Sequence, residues 1–263
     1  MRVDLHNHTT LCNHANGTVE QYVQRAIELG IDHYGFSDHA PMNFDPKYRM
    51  DISQKALYEK WVLDAKEKYK NQIKILLAYE VDYLEGYILD EIINSKVDYL
   101  IGSVHFLKNK NDMWGFDNPE FIGVYESKDI DTIWLEYFDA IKSMAKTQLF
   151  DIVGHFDLIK VFRFLPKKDI RILANDALKQ IKKSGMVLEI NPAGLRKPIG
   201  ETYPSKQLLE LAYEMNIDIT FGSDAHEIEQ VGFKYDEVVS LAKEIGYTKC
   251  ITFDNREKIK IDF

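Results

Sequence analysis

An early segment of the sequence reads Val3-Asp4-Leu5-His6-Asn7-His8, a short run with two apolar residues that ends in two histidines. Side chains alternate along an extended strand with a period of two residues, so His6 and His8 point to the same side. Asp224-Ala225-His226 repeats this spacing after an apolar run near the other end of the chain. A single pair of this kind is a weak signal, but two pairs of the same geometry favour metal ligation.

Similar short apolar runs recur along the chain, and stretches with helical spacing lie between them. This alternation is typical of a parallel sheet whose strands are joined by crossover helices. Seven strands are predicted at Val3–Leu5, His33–Ser37, Ile73–Ala78, Tyr99–Ser103, Ile152–Val153, Met186–Ile190 and Ile217–Phe221, with a possible eighth near Cys250–Phe253. Helices are predicted at Val19–Leu29, Gln54–Lys70, Tyr87–Ser95, Thr132–Lys146, Ile170–Lys183, Lys206–Met215 and Tyr235–Ile245.

The alternation of strands and helices continues without a Gly/Ser/Pro-rich linker, a low-complexity tract or an internal repeat. We therefore expect one barrel-like domain over residues 1–263 rather than two lobes. Two longer loops, at roughly Phe106–Asp131 and Phe156–Asp169, interrupt the alternation. Loops of this length are often functional, so both are candidate walls of an active site.

Residues that commonly bind metals follow most of the predicted strands. They are His6 and His8 after the first strand, His39 after the second, Glu80 after the third, His105 after the fourth, His155 after the fifth, and Asp224 with His226 after the seventh. In a barrel of parallel strands all carboxyl ends open at one mouth, so these side chains are expected to converge there. Imidazole and carboxylate ligands together suit zinc, manganese and iron.

Four further residues near these positions need separate interpretations. His14 lies in the loop after the first strand and is expected to serve a neighbouring position of the metal centre. His33 precedes the second strand and belongs to the opposite end of the barrel, so we expect a structural role. Asp38 points away from His39 on a strand, so we expect it either to support the ligands or to have a structural role, and Cys12 is expected to be incidental.

The composition excludes several classes of protein. No run of eighteen apolar residues could span a bilayer, and no signal sequence is visible, so we expect a cytoplasmic protein. A formal net charge of −9 and the lack of a basic stripe argue against nucleic-acid binding. The two cysteines, Cys12 and Cys250, form no CxxC motif and predict no disulfide framework.

The positions of these residues resemble the PHP (polymerase and histidinol phosphatase) superfamily, and within it the histidinol-phosphatase branch. The resemblance spans nearly the whole chain. Its segments are Asp4-Leu5-His6-Asn7-His8-Thr9, Ser37-Asp38-His39-Ala40-Pro41, Tyr79-Glu80-Val81-Asp82-Tyr83, Gly102-Ser103-Val104-His105-Phe106, Gly154-His155-Phe156-Asp157-Leu158-Ile159-Lys160, Glu189-Ile190-Asn191, Gly194-Leu195-Arg196-Lys197-Pro198 and Gly222-Ser223-Asp224-Ala225-His226.

This resemblance implies a distorted (β/α)7 TIM-like barrel with two to three divalent ions (Zn, Mn or Fe) at the C-terminal ends of its strands. By position, the first ion would take His6, His8, Glu80 and Asp224. The second would take Glu80, His105 and His155, so that Glu80 bridges the two. The third would take His14, His39 and His226.

Such a centre would generate hydroxide from a bridging water near neutral pH and polarise a phosphoryl group. We expect in-line attack by solvent, with no covalent enzyme intermediate. Asp224, His226 or a water would protonate the leaving alkoxide, and the sequence does not rank them. Arg163 and Arg196 follow the fifth and sixth strands and can present bidentate forks to phosphate.

The branch resemblance implies hydrolysis of L-histidinol phosphate to L-histidinol and phosphate, in histidine biosynthesis. One alternative is a PHP phosphoesterase for another phosphomonoester, such as a nucleotide or a phosphotyrosyl protein. Another is a non-catalytic metal-binding protein, which the two arginines argue against because a metal store needs no phosphate clamp. The expected partner is a small-molecule phosphomonoester, and the oligomeric state cannot be read from the sequence.

Overall fold

The structure is a computed structural model that describes residues 1–109 and 112–263. Its strands are β1 (Val3–Asp4), β2 (His33–Phe36), β3 (Lys74–Asp82), β4 (Tyr99–Ser103), β5 (Phe106–Asn109), β6 (Asp112–Gly115), β7 (Ile152–Val153), β8 (Val187–Ile190), β9 (Ile219–Phe221), β10 (Lys249–Asp254) and β11 (Glu257–Asp262). Seven of them form one parallel sheet in the order β1-β2-β3-β4-β7-β8-β9. These are the seven strands that the sequence predicts.

The two edges of this sheet meet and close it into a barrel. The backbone N–H of Leu5 donates to the carbonyl of Phe221 at 2.9 Å, and that of His8 donates to the carbonyl of Ala225 at 3.0 Å. The first and last strands are therefore joined along their C-terminal extensions. The predicted distorted (β/α)7 barrel is confirmed.

Helices cover the outside of the barrel. They are α1 (Val19–Glu28), α2 (Lys55–Tyr69), α3 (Asp90–Ile93), α4 (Ile122–Ser127), α5 (Ile130–Thr147), α6 (Ile170–Ser184), α7 (Lys206–Glu214) and α8 (Tyr235–Ile245). In α6 the carboxylate of Asp169 accepts the Arg171 N–H at the N-terminus, and the buried side chains include Leu173, Ala177 and Ile181 at a spacing of four residues. This spacing places an apolar face against the barrel. The helix predicted at Tyr87–Ser95 is reduced to the single turn α3.

Apolar and aromatic side chains fill the half of the barrel that lies away from its C-terminal mouth. Tyr99 is fully buried there, and its hydroxyl donates to the backbone carbonyl of Leu5. A Cβ on Gly35 would lie 1.7 Å from the Tyr99 hydroxyl oxygen. Only glycine fits at position 35, because a side chain there would displace the Tyr99 ring, whose hydroxyl joins β4 to the residue after β1.

The two long predicted loops contain short ordered elements. Between Phe106 and Asp131 the chain forms the antiparallel hairpin β5–β6, in which Phe106 pairs with Gly115, followed by α4. Residues 110 and 111, within this predicted loop, lie outside the described part of the chain. The second loop contains a 3₁₀ turn at Leu158–Lys160. Both loops follow strands of the barrel and so reach its C-terminal mouth.

The possible eighth strand does not enter the barrel. β10 pairs with β11 in a separate two-stranded antiparallel sheet, and the Thr220 hydroxyl on β9 donates to the carbonyl of Ile251 at 2.8 Å. His33 lies beside β10, where its Nδ1 is 3.0 Å from the hydroxyl of Thr252 on that strand. The structural role expected for His33 agrees with this position. No helix in residues 1–109 or 112–263 combines the length and the hydropathy of a membrane span.

Candidate metal centre and active site

Glu80, near the C-terminal end of β3, lies at the centre of a histidine cluster. Its Oε2 is 3.0 Å from Nδ1 of His39 and 3.4 Å from Nε2 of His6. Its Oε1 is 2.9 Å from Nε2 of His155 and 3.7 Å from Nε2 of His105. The two oxygens of one buried carboxylate therefore face two different groups of imidazoles, which is the geometry of a bridging ligand.

The remaining predicted ligands are His8, His14, Asp224 and His226, of which His8 is buried and His14 is exposed. The rings of His8 and His226 stack with centroids 3.9 Å apart, and His14 lies 4.5 Å from His226. His39 is 4.5 Å from His8 but 5.3 Å from His14. Oδ1 of Asp224 is 3.2 Å from Nε2 of His8. The structure thus brings all nine predicted metal-binding side chains into one cluster.

Carboxylates orient histidines of the inner group, which comprises His6, His8, Glu80, His105, His155 and Asp224. Nδ1 of His6 is 2.7 Å from Oε1 of Glu189, and Nδ1 of His105 bonds Oδ1 of Asp82. Asp82 also accepts a 2.6 Å hydrogen bond from Arg49. Metal-binding histidines ordinarily donate their second ring nitrogen to such an acceptor, which fixes the ring and its tautomer. Glu189 and Asp82 therefore prepare His6 and His105 for ligation through Nε2.

In the outer group, which comprises His14, His39 and His226, backbone carbonyls orient two of the rings. Nδ1 of His14 is 2.8 Å from the carbonyl of Cys12, and Nδ1 of His226 is 3.1 Å from the carbonyl of Asp224. In both of these rings a hydrogen bond from Nδ1 fixes the orientation. These acceptors carry no formal charge, and hydrogen bonds to neutral acceptors are weaker than those to carboxylates.

The donor set fits divalent metal ions. Nε2 of His6 and Nε2 of His226 are buried and have no hydrogen-bond partner among the described residues. Such orphaned groups need an explanation, and a metal ion supplies one. The donor atoms of several trios lie within 4.8 Å of one another: His6, His8 and Glu80; Glu80, His105 and His155; and His8, His39 and His226. The donor atom of His14 belongs to a different trio, with those of His226 and Cys12.

Both acidic ligands are ionised in this environment. Burial acts to raise the pKa of Glu80, but His39, His6 and the hydrogen bond from His155 outweigh it and hold that pKa well below its ordinary value. Burial likewise acts to raise the pKa of Asp224, and His6 together with the hydrogen bond from His8 lowers it well below. Carboxylates must be ionised to bind metals, so both are ready ligands near neutral pH.

Buried polar groups hold the ligand-bearing loops in place. Asp4 on β1 accepts the Ser223 N–H at 2.8 Å and the Ser223 hydroxyl at 2.6 Å. This contact positions Asp224, which has a positive φ of 54°. Asp38 accepts the backbone N–H of His39 at 2.8 Å and lies 3.4 Å from Nδ1 of His8. Of the two roles expected for Asp38, these contacts favour support of the ligands.

A cavity of about 550 Å³ opens above the cluster. Arg196 lines it and donates to the backbone carbonyls of Ser223, at 3.2 Å, and Asp224, at 2.9 Å. Lys197 also lines it and is exposed. Arg163 is exposed on the loop after β7 and is absent from the described lining of the cavity. The structure thus brings one of the two predicted arginines to the site and leaves the other outside.

Several residues of the site had no role assigned from sequence. Glu189 and Asp82 orient ligands, Arg49 pairs with Asp82, and Asp117 lines the cavity. A signal existed for Glu189, because a carboxylate inside the apolar strand β8 must have a buried partner. For Arg49 and Asp117, which lie in loops, the sequence offered no such signal. Cys12 was expected to be incidental, but its sulfur lies within 4.8 Å of the donor atoms of His14 and His226.

Comparisons with known proteins agree with this geometry. The sequence model of the PHP domain family matches residues 4–193. A protein named "Probable histidinol-phosphatase" from Deinococcus radiodurans is 36% identical over 262 residues, covering 97% of both chains. The Histidinol-phosphatase of Bacillus subtilis is 32% identical over 259 residues, covering 89% of this chain and 96% of that one.

A solved structure shares the fold. It is the histidinol phosphate phosphatase of Lactococcus lactis, crystallised with zinc, L-histidinol and phosphate. The TM-score is 0.79 at 20% sequence identity, and the alignment covers 98% of each chain. The distorted barrel is therefore common to the two proteins.

Proposed function

The chain belongs to the PHP domain family, and on this premise we propose that it is a histidinol-phosphatase, which hydrolyses L-histidinol phosphate to L-histidinol and phosphate in histidine biosynthesis. The observation that carries the proposal is the 36% identity over 97% of both chains to a protein of that name. The cluster at the barrel mouth supports it, since it supplies ligands for the metals of a phosphomonoesterase. The chain is accordingly a phosphoric monoester hydrolase.

The residues would hold up to three ions. We assign His6, His8, Glu80 and Asp224 to the first and Glu80, His105 and His155 to the second. Oε2 of Glu80 faces His6 and Oε1 faces His105 and His155, which supports the division between the first two ions. His39 also lies 3.0 Å from Oε2. We assign His14, His39 and His226 to the third, with His8 close enough to share it. Bound divalent ions would polarise the phosphoryl group and lower the pKa of water.

The chain's own side chains supply substrate binding and proton transfer. Arg196 carries a fixed positive charge at the cavity wall, held by two backbone carbonyls, and we assign it to the phosphate. Asp224 and His226 both line the cavity. The Asp224 carboxylate can take the proton of the attacking water and return it to the leaving alkoxide, and His226 is the second candidate for that donation.

Arg163 was predicted as a second phosphate ligand, and its exposed position gives this role no support. The two arginines therefore make a matched pair. Arg196→Ala is expected to raise KM for phosphomonoesters with its metals retained, whereas Arg163→Ala is expected to change KM much less. Equal effects would restore Arg163 to the site, and loss of metals from Arg196→Ala would indicate a structural role for Arg196.

Phosphate release from metal-reconstituted protein tests the function itself. L-histidinol phosphate would be compared with p-nitrophenyl phosphate, a nucleotide monophosphate and a phosphotyrosyl peptide. We expect a strong preference in kcat/KM for L-histidinol phosphate. Equal, low rates on all four would leave a PHP phosphoesterase for another phosphomonoester, and no turnover with zinc, manganese or iron would favour the non-catalytic alternative.

We further propose that residues 1–263 act as one metallophosphatase domain on a small-molecule substrate. The family match and the continuous barrel support this. A cytoplasmic location and the lack of nucleic-acid binding remain predictions from the sequence.

A further inference from the structure

Asp117 follows the hairpin β5–β6 and lines the cavity. Phe116, next to it, is fully buried, and its N–H donates to the carbonyl of His105 at 3.2 Å. The hydroxyl of Tyr125 donates to the carbonyl of Phe116 at 3.1 Å. These contacts tie the backbone before Asp117 to the barrel and to α4. The position of the Asp117 carboxylate is therefore set by a packed hairpin and not by a free loop.

Among the described residues, five carboxylates line the cavity: Asp45, Glu80, Asp82, Asp117 and Asp224. Four of them already have cationic or imidazole partners. Glu80 and Asp224 face histidines, Asp82 bonds Arg49 and His105, and Asp45 lies 3.6 Å from Arg49. Within the described residues Asp117 makes no ion pair and no hydrogen bond with another side chain.

The surroundings of Asp117 place it close to the reacting end of the cavity. Asp117 lines the same cavity as His105 and His155, two of the candidate metal ligands. A phosphoryl group at the metals would thus lie near this carboxylate. Two phenylalanines, Phe106 and Phe121, line the same cavity and offer apolar surface for the rest of a substrate.

We propose that Asp117 is the specificity-determining residue that binds the α-ammonium group of L-histidinol phosphate. The inference rests on the proposed function. In that substrate the ammonium stands on the carbon next to the phosphate-bearing methylene, so it enters the site beside the phosphoryl group. A carboxylate that has no partner among the described residues and shares the cavity of the candidate metal ligands meets this requirement, and it would reject substrates whose neighbouring group is neutral or anionic.

A comparison of two substrates isolates this contact. L-histidinol phosphate and its deamino analogue, 3-(imidazol-4-yl)propyl phosphate, differ only in the amine. Asp117→Asn is expected to raise KM for L-histidinol phosphate by roughly 10- to 100-fold, which is the size of a lost charged hydrogen bond. The same variant is expected to show no comparable loss on the deamino analogue. Asp117→Glu should recover part of the preference.

The matched control is Asp112→Asn, which removes an exposed carboxylate from the same hairpin without touching the cavity lining. Metal content and circular dichroism would be measured for every variant. Equal losses on both substrates, or retained preference in Asp117→Asn, would overturn the inference while leaving the proposed function intact. Failure of the wild-type protein to hydrolyse L-histidinol phosphate would overturn both.

Discussion

The inner and outer groups of the histidine cluster are built differently. In the inner group His6 and His155 are buried, and Glu189 accepts from the His6 ring and from the His155 backbone N–H. In the outer group His14 is exposed, and a backbone carbonyl holds its ring. Charge-assisted hydrogen bonds in a buried site are the stronger ones. We therefore expect the inner ions to be bound more tightly than the outer ion.

Glu80→Gln should have the largest effect, because the two oxygens of this side chain face different histidines of the inner group. Replacing one carboxylate oxygen with an amide removes the bridge and the negative charge that faces the rings of His6, His39, His105 and His155. We expect kcat/KM to fall by about 1,000-fold, equivalent to about 4 kcal/mol of transition-state stabilisation. Metal content measured by mass spectrometry should fall in parallel.

Glu59→Gln is the control for that substitution, since Glu59 is a half-buried glutamate on α2 that bonds Lys55 and Tyr79 away from the mouth. It should retain full metal content. If Glu80→Gln kept its ions and its activity, the bridging role of Glu80 would be wrong.

Glu189→Gln should rank second. The variant keeps the shape of the side chain but weakens its hold on the His6 ring and on the His155 backbone. Loss of such an orienting partner is expected to lower metal affinity by about 10- to 100-fold. Competition with a chelator of known affinity measures this. An unchanged affinity would mean that barrel packing alone orients His6.

His14→Ala should affect only the outer group. We expect the protein to lose one ion per chain and to keep the others, because His14 does not contact Glu80, His105 or His155. Metal counting on the purified variant provides the measurement. Loss of every ion would contradict the division into an inner and an outer group, and loss of none would remove His14 from the ligand set.

Thr252→Val, at the opposite end of the barrel, should have the smallest effect on function. It removes the hydrogen bond between Thr252 and His33 and is expected to cost about 1 kcal/mol of stability. For a chain of this length that corresponds to a lower Tm by about 2–4 °C. Metal content and kcat/KM should stay at wild-type values. A change in either would show that the two ends of the barrel are coupled.

The seven barrel strands and the strand-end ligands were predictable because they follow from local pattern. Apolar runs such as Ile73–Ala78 mark buried strands, and parallel topology then brings the carboxyl ends together wherever they occur in the chain. The helix predicted at Tyr235–Ile245 coincides with α8 for the same reason. Prediction of the short helix α3 was poorer, since a few residues carry little periodic signal.

The sequence by itself determined the barrel, its mouth and the nine candidate ligands, since period-two and helical patterns, with ligands at strand ends, are local properties of the chain. Tertiary structure decided the rest. Three features depend on contacts between distant segments. His6 pairs with Glu189, Arg196 but not Arg163 belongs to the described lining of the cavity, and β10 lies outside the barrel sheet. No local pattern encodes those contacts, because they arise only when loops pack against the finished barrel.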